Sequence, residues 1–578
     1  MTAQKGENMK KTNIFYRIIS LLIVLASLVS VFTACGNGEE KKPEEEKKDL
    51  LDISGYAIVR YDASDNSISK KTARLKTAIK NTLGLDLAVQ TDWYNPNTPP
   101  DPNAKEILVD KTNRKESSDA LAKLEGQEGD AYVIDITENK IAIVGKTDNS
   151  TLRGIAYFIK NYVMTSPEGS GLDIGHGKNT VQAFDSKKSL SNSVLDLDID
   201  LVSTVFAVPE KNPSNLLGYP SNISDVHFPS IIELKYQQNE KNNGILIGAF
   251  CINETAITNP LNTLACIMES RDGGQSWEII ARPKETLDTG TGWAGSMAHI
   301  YELPAQVGNM PAGTLIYSSN SVNYDRASHI GVWKSNDCGK SWKEISIVAR
   351  GGGLGLGVWE PVMFYNDADG YLYCFYSDDF NRKYDQRIVY RRSKDGIKWE
   401  SVVEVCAFGT FADRPGMPVI TKMGNGEYFL VYEYCIGGGA KIYYKKTKDI
   451  TKWDPTDPGT LIETKVGNKV IHAATAPSCL WTPAGGENGT LFVTGMYQFG
   501  GDGKNRIFVS GDYGKTWDTL ENPLPYSGFG SFQEETLGGY RAIMVTGADP
   551  SVIHYINTTN VSGTKRAQIQ YAKLKIFE

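Results

Sequence analysis

Five short segments along the C-terminal part of the chain share one pattern, and that pattern limits the possible folds more than any other feature. SRDGGQSW starts at Ser270, SNDCGKSW at Ser335, SKDGIKW at Ser393, TKDITKW at Thr447 and SGDYGKTW at Ser510. The interval is roughly 60 residues, a spacing expected of repeat units that each carry several strands. The first, second and last read S-x-D-x-G-x-[ST]-W; the third is one residue short, and the fourth has lost its Ser and Gly. In such a segment the Asp accepts backbone N–H bonds across a tight turn, Gly supplies a positive φ, and Trp packs between neighbouring units. Beyond about Ser191 short strands separated by Gly, Asn and Asp turns replace any helical period. About 375 residues at this interval make a mostly β, six-bladed propeller, with four strands per blade and no long sheet edge left open.

The rest of the 578 residues divides by composition. Residues 1–35 carry a basic stretch, an apolar run and small residues before Cys35, the layout of an export signal. The ending FTAC resembles that of bacterial lipoproteins, which implies lipidation at Cys35 and tethering to the cell membrane. Residues 36–50 mix charges without apolar periodicity and read as a tether. Residues 51–188 alternate strand and helix patterns, from GYAIVRYD to TLRGIAYFIKNYV, and so predict a small α/β domain ahead of the propeller at 195–578. This pattern resembles the accessory α/β domain of hexosaminidases and α-glucuronidases. Net charge is −7 with both signs interspersed, which argues against a nucleic-acid partner. Seven cysteines follow Cys35, mostly in apolar runs, and read as free buried thiols. No CxxC or His-rich cluster marks a metal site, and no cofactor is expected.

Catalytic candidates come from the blade geometry. If the turns between first and second strands lie on the bottom face, first strands begin and second strands end on the top. Glu360 (GVWEPVMFYN) opens a first strand, and Glu433 (FLVYEYC) nears the end of the second strand of the next blade. Two carboxylates then share one pocket, with the apolar neighbours of Glu433 expected to keep water from it and to favour its protonated form. A retaining glycosidase requires this pairing, one carboxylate as nucleophile and one carboxylic acid, roughly 5–5.5 Å apart. Trp359, Asp378, Gln386, Arg414, Tyr434 and His299 meet the same test as substrate-binding groups. His227, in VHFP, reads as a core residue.

VWEP at 358–361, LYCFYSDD at 372–379, DQRI at 385–388, RPGMPVI at 414–420, VYEY at 431–434 and LWTPAGGENGTLFV at 480–493 together resemble the propeller exo-α-1,5-L-arabinanases of glycoside hydrolase family 93, relatives of the sialidases. The resemblance implies Glu360 as nucleophile, Glu433 as acid/base, and release of arabinobiose from arabinan chain ends. A sialidase-like exoglycosidase is disfavoured because His227 stands where an arginine for the sialic-acid carboxylate is expected. A non-catalytic glycan-binding propeller is the other alternative, and it has no need of two pocket carboxylates.

Overall fold

The computed structural model describes residues 49–64, 66–167, 169, 171–184, 197–209, 223–254, 263–287, 294–323, 327–353, 355–409, 413–436, 439–466, 469–499, 506–524, 543–561 and 566–576. The expected export signal, Cys35 and nearly all of the tether lie outside them.

The N-terminal part is a six-stranded mixed sheet in the order Ala88–Thr91, Ala57–Arg60, Glu106–Val109, Lys140–Gly145, Asp130–Ile136 and Asn179–Phe184. The first four run parallel, and 130–136 joins as one arm of a hairpin. The helix Asn66–Leu83 buries Ile68, Leu75, Ile79 and Leu83, which recur at helical spacing and so share one face. Gly84 stops it at φ 73°, a left-handed conformation that glycine adopts without strain.

Six antiparallel sheets follow as blades. Their innermost strands are Ile223–Glu233, Ala294–Glu302, Val358–Asn366, Arg414–Lys422, Ser478–Thr482 and Ile543–Thr546. Blade 4 is enlarged, because its third strand, Gly439–Thr447, also meets a hairpin of Glu463–Val466 and Lys469–Ala474. Blade 6 takes its outermost strand, Leu197–Ala207, from the start of the propeller sequence, and the register Gln568↔Ala207 to Ile576↔Leu197 closes the ring.

The repeated segments are the turns between third and fourth strands. In blade 2, Ser335 Oγ donates to Asp337 Oδ1 (2.7 Å), Asp337 Oδ1 accepts from Ser341 N–H (2.9 Å), and Trp342 Nε1 donates to Gly339 O (2.8 Å). Blades 1 and 5 repeat this bonding around Asp272 and Asp512. The tryptophans bridge neighbours as expected: Trp277 meets Tyr571 of blade 6 edge-on at 5.4 Å, and Trp517 meets Phe429 of blade 4 at 6.0 Å.

A second repeat was not visible as a motif. The innermost strands of blades 1 to 4 are each interrupted by a bulge, at 227–230, 296–299, 359–362 and 416–419. Each bulge puts one residue in the left-handed region: Phe228 (φ 50°), Met297 (61°), Glu360 (50°) and Met417 (54°); Ala476 (43°) precedes the inner strand of blade 5 in the same way. Four of these residues precede proline, where the backbone ordinarily prefers extended conformations.

Candidate active site

The bulge positions surround the propeller axis at the top face. Phe228, Met297, Met417 and Ala476 pack with Met496 into one apolar cluster. Glu360 takes the equivalent place in blade 3 and is 8% exposed. The sixth equivalent position falls outside the described residues. A left-handed backbone at a non-glycine residue is costly anywhere, but here all five described blades share it, four of them before proline, so the strain belongs to the scaffold. Glu360 differs from its counterparts in carrying the charge.

Glu433 stands on the second strand of blade 4, Tyr428–Ile436, opposite Gly416 of the innermost strand. Its Oε2 accepts from the Ala476 N–H (3.1 Å) and from the Thr475 hydroxyl. This reproduces a contact made elsewhere by smaller residues: Ser377 Oγ accepts from Met417 N–H at 3.0 Å, and the Cys251 sulfur accepts from the N–H groups of Ala298 and Met297. Second strands thus cap the bulge of the following blade. Glu433 makes the cap with one oxygen and has a second to spare. It is half-buried, so the expectation that its apolar neighbours shut out water does not hold; the bulge of blade 5 supplies polar partners that the local sequence could not reveal.

The charges of both glutamates are felt at Cys435. Burial, then the charge of Glu433 and more weakly that of Glu360, pushes the Cys435 thiol up to about 12, while Arg414 acts the other way. The thiol therefore stays neutral, and its Sγ lies 3.9 Å from Glu433 Oε1.

Beside Glu360, three of the expected binding residues meet at one carboxylate, that of Asp379. Trp359 Nε1 donates to Asp379 Oδ2 (2.9 Å), Gln386 Nε2 to Oδ1 (2.8 Å), and Arg414 lies 3.7 Å from Oδ2 while pairing with Asp385 at 3.1 Å. Burial raises the Asp379 carboxyl above the usual range, against the bonds from Trp359 and Gln386 and the charge of Arg414. A Cβ on Gly416 would sit 2.5 Å from Gln386 Oε1, so a larger residue there would push the Gln386 amide aside.

Other expected residues lie apart from this group. Asp378 points to the opposite side of its strand, where Arg387 holds it at 2.7 Å and also reaches Glu404; the pocket carboxylate is its neighbour Asp379. Tyr434 is on the other face of the strand from Glu433, against Phe408 (5.1 Å) with its hydroxyl on Asp413 (3.1 Å). His299 sits in the seam between blades 2 and 3, its Nδ1 accepting from Met363 N–H at 3.4 Å. His227 is buried, and desolvation lowers it to about 4, so it is a neutral core residue. Asp379 and Cys435 were missed; the doubled aspartate SDD was a signal, but the strand's end decides which member faces the pocket.

No protein-family model matches the chain, and no curated protein matches it. Among solved structures, the α-L-arabinofuranosidase of Fusarium graminearum is 25% identical, with 65% of this chain and 98% of that chain covered at a TM-score of 0.53. The α-L-arabinanase of Penicillium chrysogenum, solved with arabinobiose, is also 25% identical over 65% of this chain and 97% of that one, with a TM-score of 0.52. The Fusarium enzyme is described as GH93 and has likewise been solved with arabinobiose. The fold of this chain therefore resembles that of GH93 α-L-arabinanases and arabinofuranosidases, on a six-bladed propeller preceded by a mixed α/β sheet.

Proposed function

We propose that the protein is a retaining exo-acting glycoside hydrolase that releases arabinobiose from arabinan chain ends, with Glu360 as nucleophile and Glu433 as acid/base. The observation that carries this reading is the ring of bulge residues, in which Glu360 is the one charged member among the described residues, together with Glu433, which caps a bulge through a carboxylate oxygen; both charges act on the same thiol, Cys435. Glu360 would attack the anomeric carbon while Glu433 protonates the departing oxygen; Glu433, now a carboxylate, would then take a proton from the water that resolves the glycosyl-enzyme and frees Glu360. Trp359, Gln386 and Arg414, tied to Asp379, would hold the sugar hydroxyls, and the neighbouring apolar cluster would present a dry wall. On this reading residues 51–188 are an accessory domain, and Cys35 anchors an extracytoplasmic protein to the membrane. The similarity to an α-L-arabinofuranosidase and an α-L-arabinanase supports the choice of sugar.

The test is to assay the full chain on linear arabinan, a sialoside and a panel of aryl glycosides. Arabinobiose from arabinan, without sialoside cleavage, is the expected outcome. Cleavage of the sialoside alone, or binding of arabinan without turnover, would replace the reading.

A further inference from the structure

Away from the top-face pocket, Glu285, His329 and Glu344 converge between blades 1 and 2. Glu285 lies on the segment leaving Glu278–Ala281, the last strand of blade 1; His329 and Glu344 are on the third and fourth strands of blade 2, Ser328–Ser335 and Lys343–Arg350. One ligand-capable atom of each lies within 4.8 Å of the others. His329 Nε2 is 3.2 Å from Glu285 Oε2, with the His329 side chain 0% and that of Glu285 14% exposed. Two donors at about 2.0–2.1 Å from a tetrahedral ion stand roughly 3.3 Å apart, so this spacing suits a shared cation.

Glu344 adds an independent observation. It is 2% exposed. Its Oε2 is saturated, accepting from the Thr286 N–H and hydroxyl and from the Leu287 N–H (2.8 Å). Its Oε1 is buried and has no hydrogen-bond partner among the described residues. Among the described residues neither carboxylate is paired with Lys or Arg, so a buried and a half-buried acidic side chain meet at one buried imidazole. Such an arrangement calls for a positive charge at its centre.

We propose that Glu285, His329 and Glu344 form a binding site for one divalent cation of the zinc type. An imidazole nitrogen with two carboxylate oxygens favours such a metal over calcium or magnesium, which prefer all-oxygen sites. Ser321 donates to the other oxygen of Glu285 and fixes that carboxylate's orientation. The cation staples the segment leaving blade 1 to blade 2, next to the bond from Trp333 Nε1 to Lys284 O (2.7 Å). The ligands come from three separated segments, which is why no spacing motif marked them. The site shares no residue with the Glu360 pocket, and it stands or falls separately from the proposed activity.

The test is zinc binding by the chelator-stripped full-length protein, followed by calorimetry and melting, with manganese and calcium as comparison ions and with Glu344→Gln and His329→Ala as variants. One tight zinc per chain, a melting temperature raised by several degrees on adding zinc, and loss of both effects in each variant are expected. Absence of tight zinc uptake by the wild type, or equal uptake by both folded variants, overturns the proposal. Should a variant fail to fold, Co²⁺ bound to the wild type decides: a four-coordinate visible spectrum supports the site, and the spectrum of hydrated Co²⁺ refutes it.

Discussion

At the residue scale, Glu360 has its place because the backbone prepares the same place in other blades. Met297 and Met417 occupy it at nearly the same φ, so a methionine at 360 fits the backbone and joins an existing apolar cluster. Replacing a buried charge by an apolar group of similar volume is often neutral or stabilising. Glu360→Met should therefore melt at or above the wild-type temperature while losing arabinan turnover, as calorimetry and product analysis on one preparation will show. A drop in melting temperature of many degrees would mean that Glu360 serves the fold. The position of Glu360 could be read from the sequence because WEPV interrupts a strand with a charge. Its conformation could not, since a residue before proline is expected to be extended. The exchange of Asp378 for Asp379 has a similar cause: Arg387, across the hairpin, captures one aspartate and leaves the other to Trp359 and Gln386.

At the scale of elements, two turn devices carry separate predictions. The first is the repeated bottom-face turn. For Asp337 burial is the largest single influence and acts upward, but the bonds from Ser341 and Ser335 together outweigh it and hold the carboxyl below the usual carboxylate range. Asp512 behaves in the same way through Thr516 and Ser510. A carboxylate depressed on folding contributes stability above its unfolded value, and that contribution is lost as pH falls through the folded one. Melting temperature should thus fall below about pH 4, and Asp337→Ala, costing about 1 kcal/mol at neutral pH for bonds at a solvent-exposed turn, should approach wild type in acid. A difference that grows in acid would contradict this. The second device is the cap on the following blade. Because Ser377 performs it for Met417, Glu433→Ser should lose less stability than Glu433→Ala, by about 1 kcal/mol in denaturant titrations, though neither should hydrolyse arabinan.

On the scale of the whole molecule, the ring depends on a strand distant in sequence. Leu197–Ala207 completes blade 6, and Val205 is buried there in a cluster shared with blade 1 residues such as Val226 and Phe250. Val205→Asp places an unpaired carboxylate in that seam and should destabilise the protein by about 3 kcal/mol or more; an unchanged denaturation midpoint would show that the ring does not need this closure. The blade count was legible because each turn segment is a local chemical device repeated at a fixed interval. The closure and the cross-blade caps were not, since they depend on partners such as Ala207 and Gln568, or Glu433 and Ala476, whose pairing no local pattern records. The pairing of Glu360 with Glu433 as nucleophile and acid is tested most directly by the leaving-group dependence of Glu360→Ala and Glu433→Gln, each measured with and without azide. Glu433→Gln should fail on arabinan yet retain turnover of aryl arabinosides with acidic phenols, whereas Glu360→Ala should fail on both and regain activity only when azide takes the nucleophile's place. Leaving-group dependence at 360 with azide rescue at 433, or near wild-type turnover by either variant, would contradict the account.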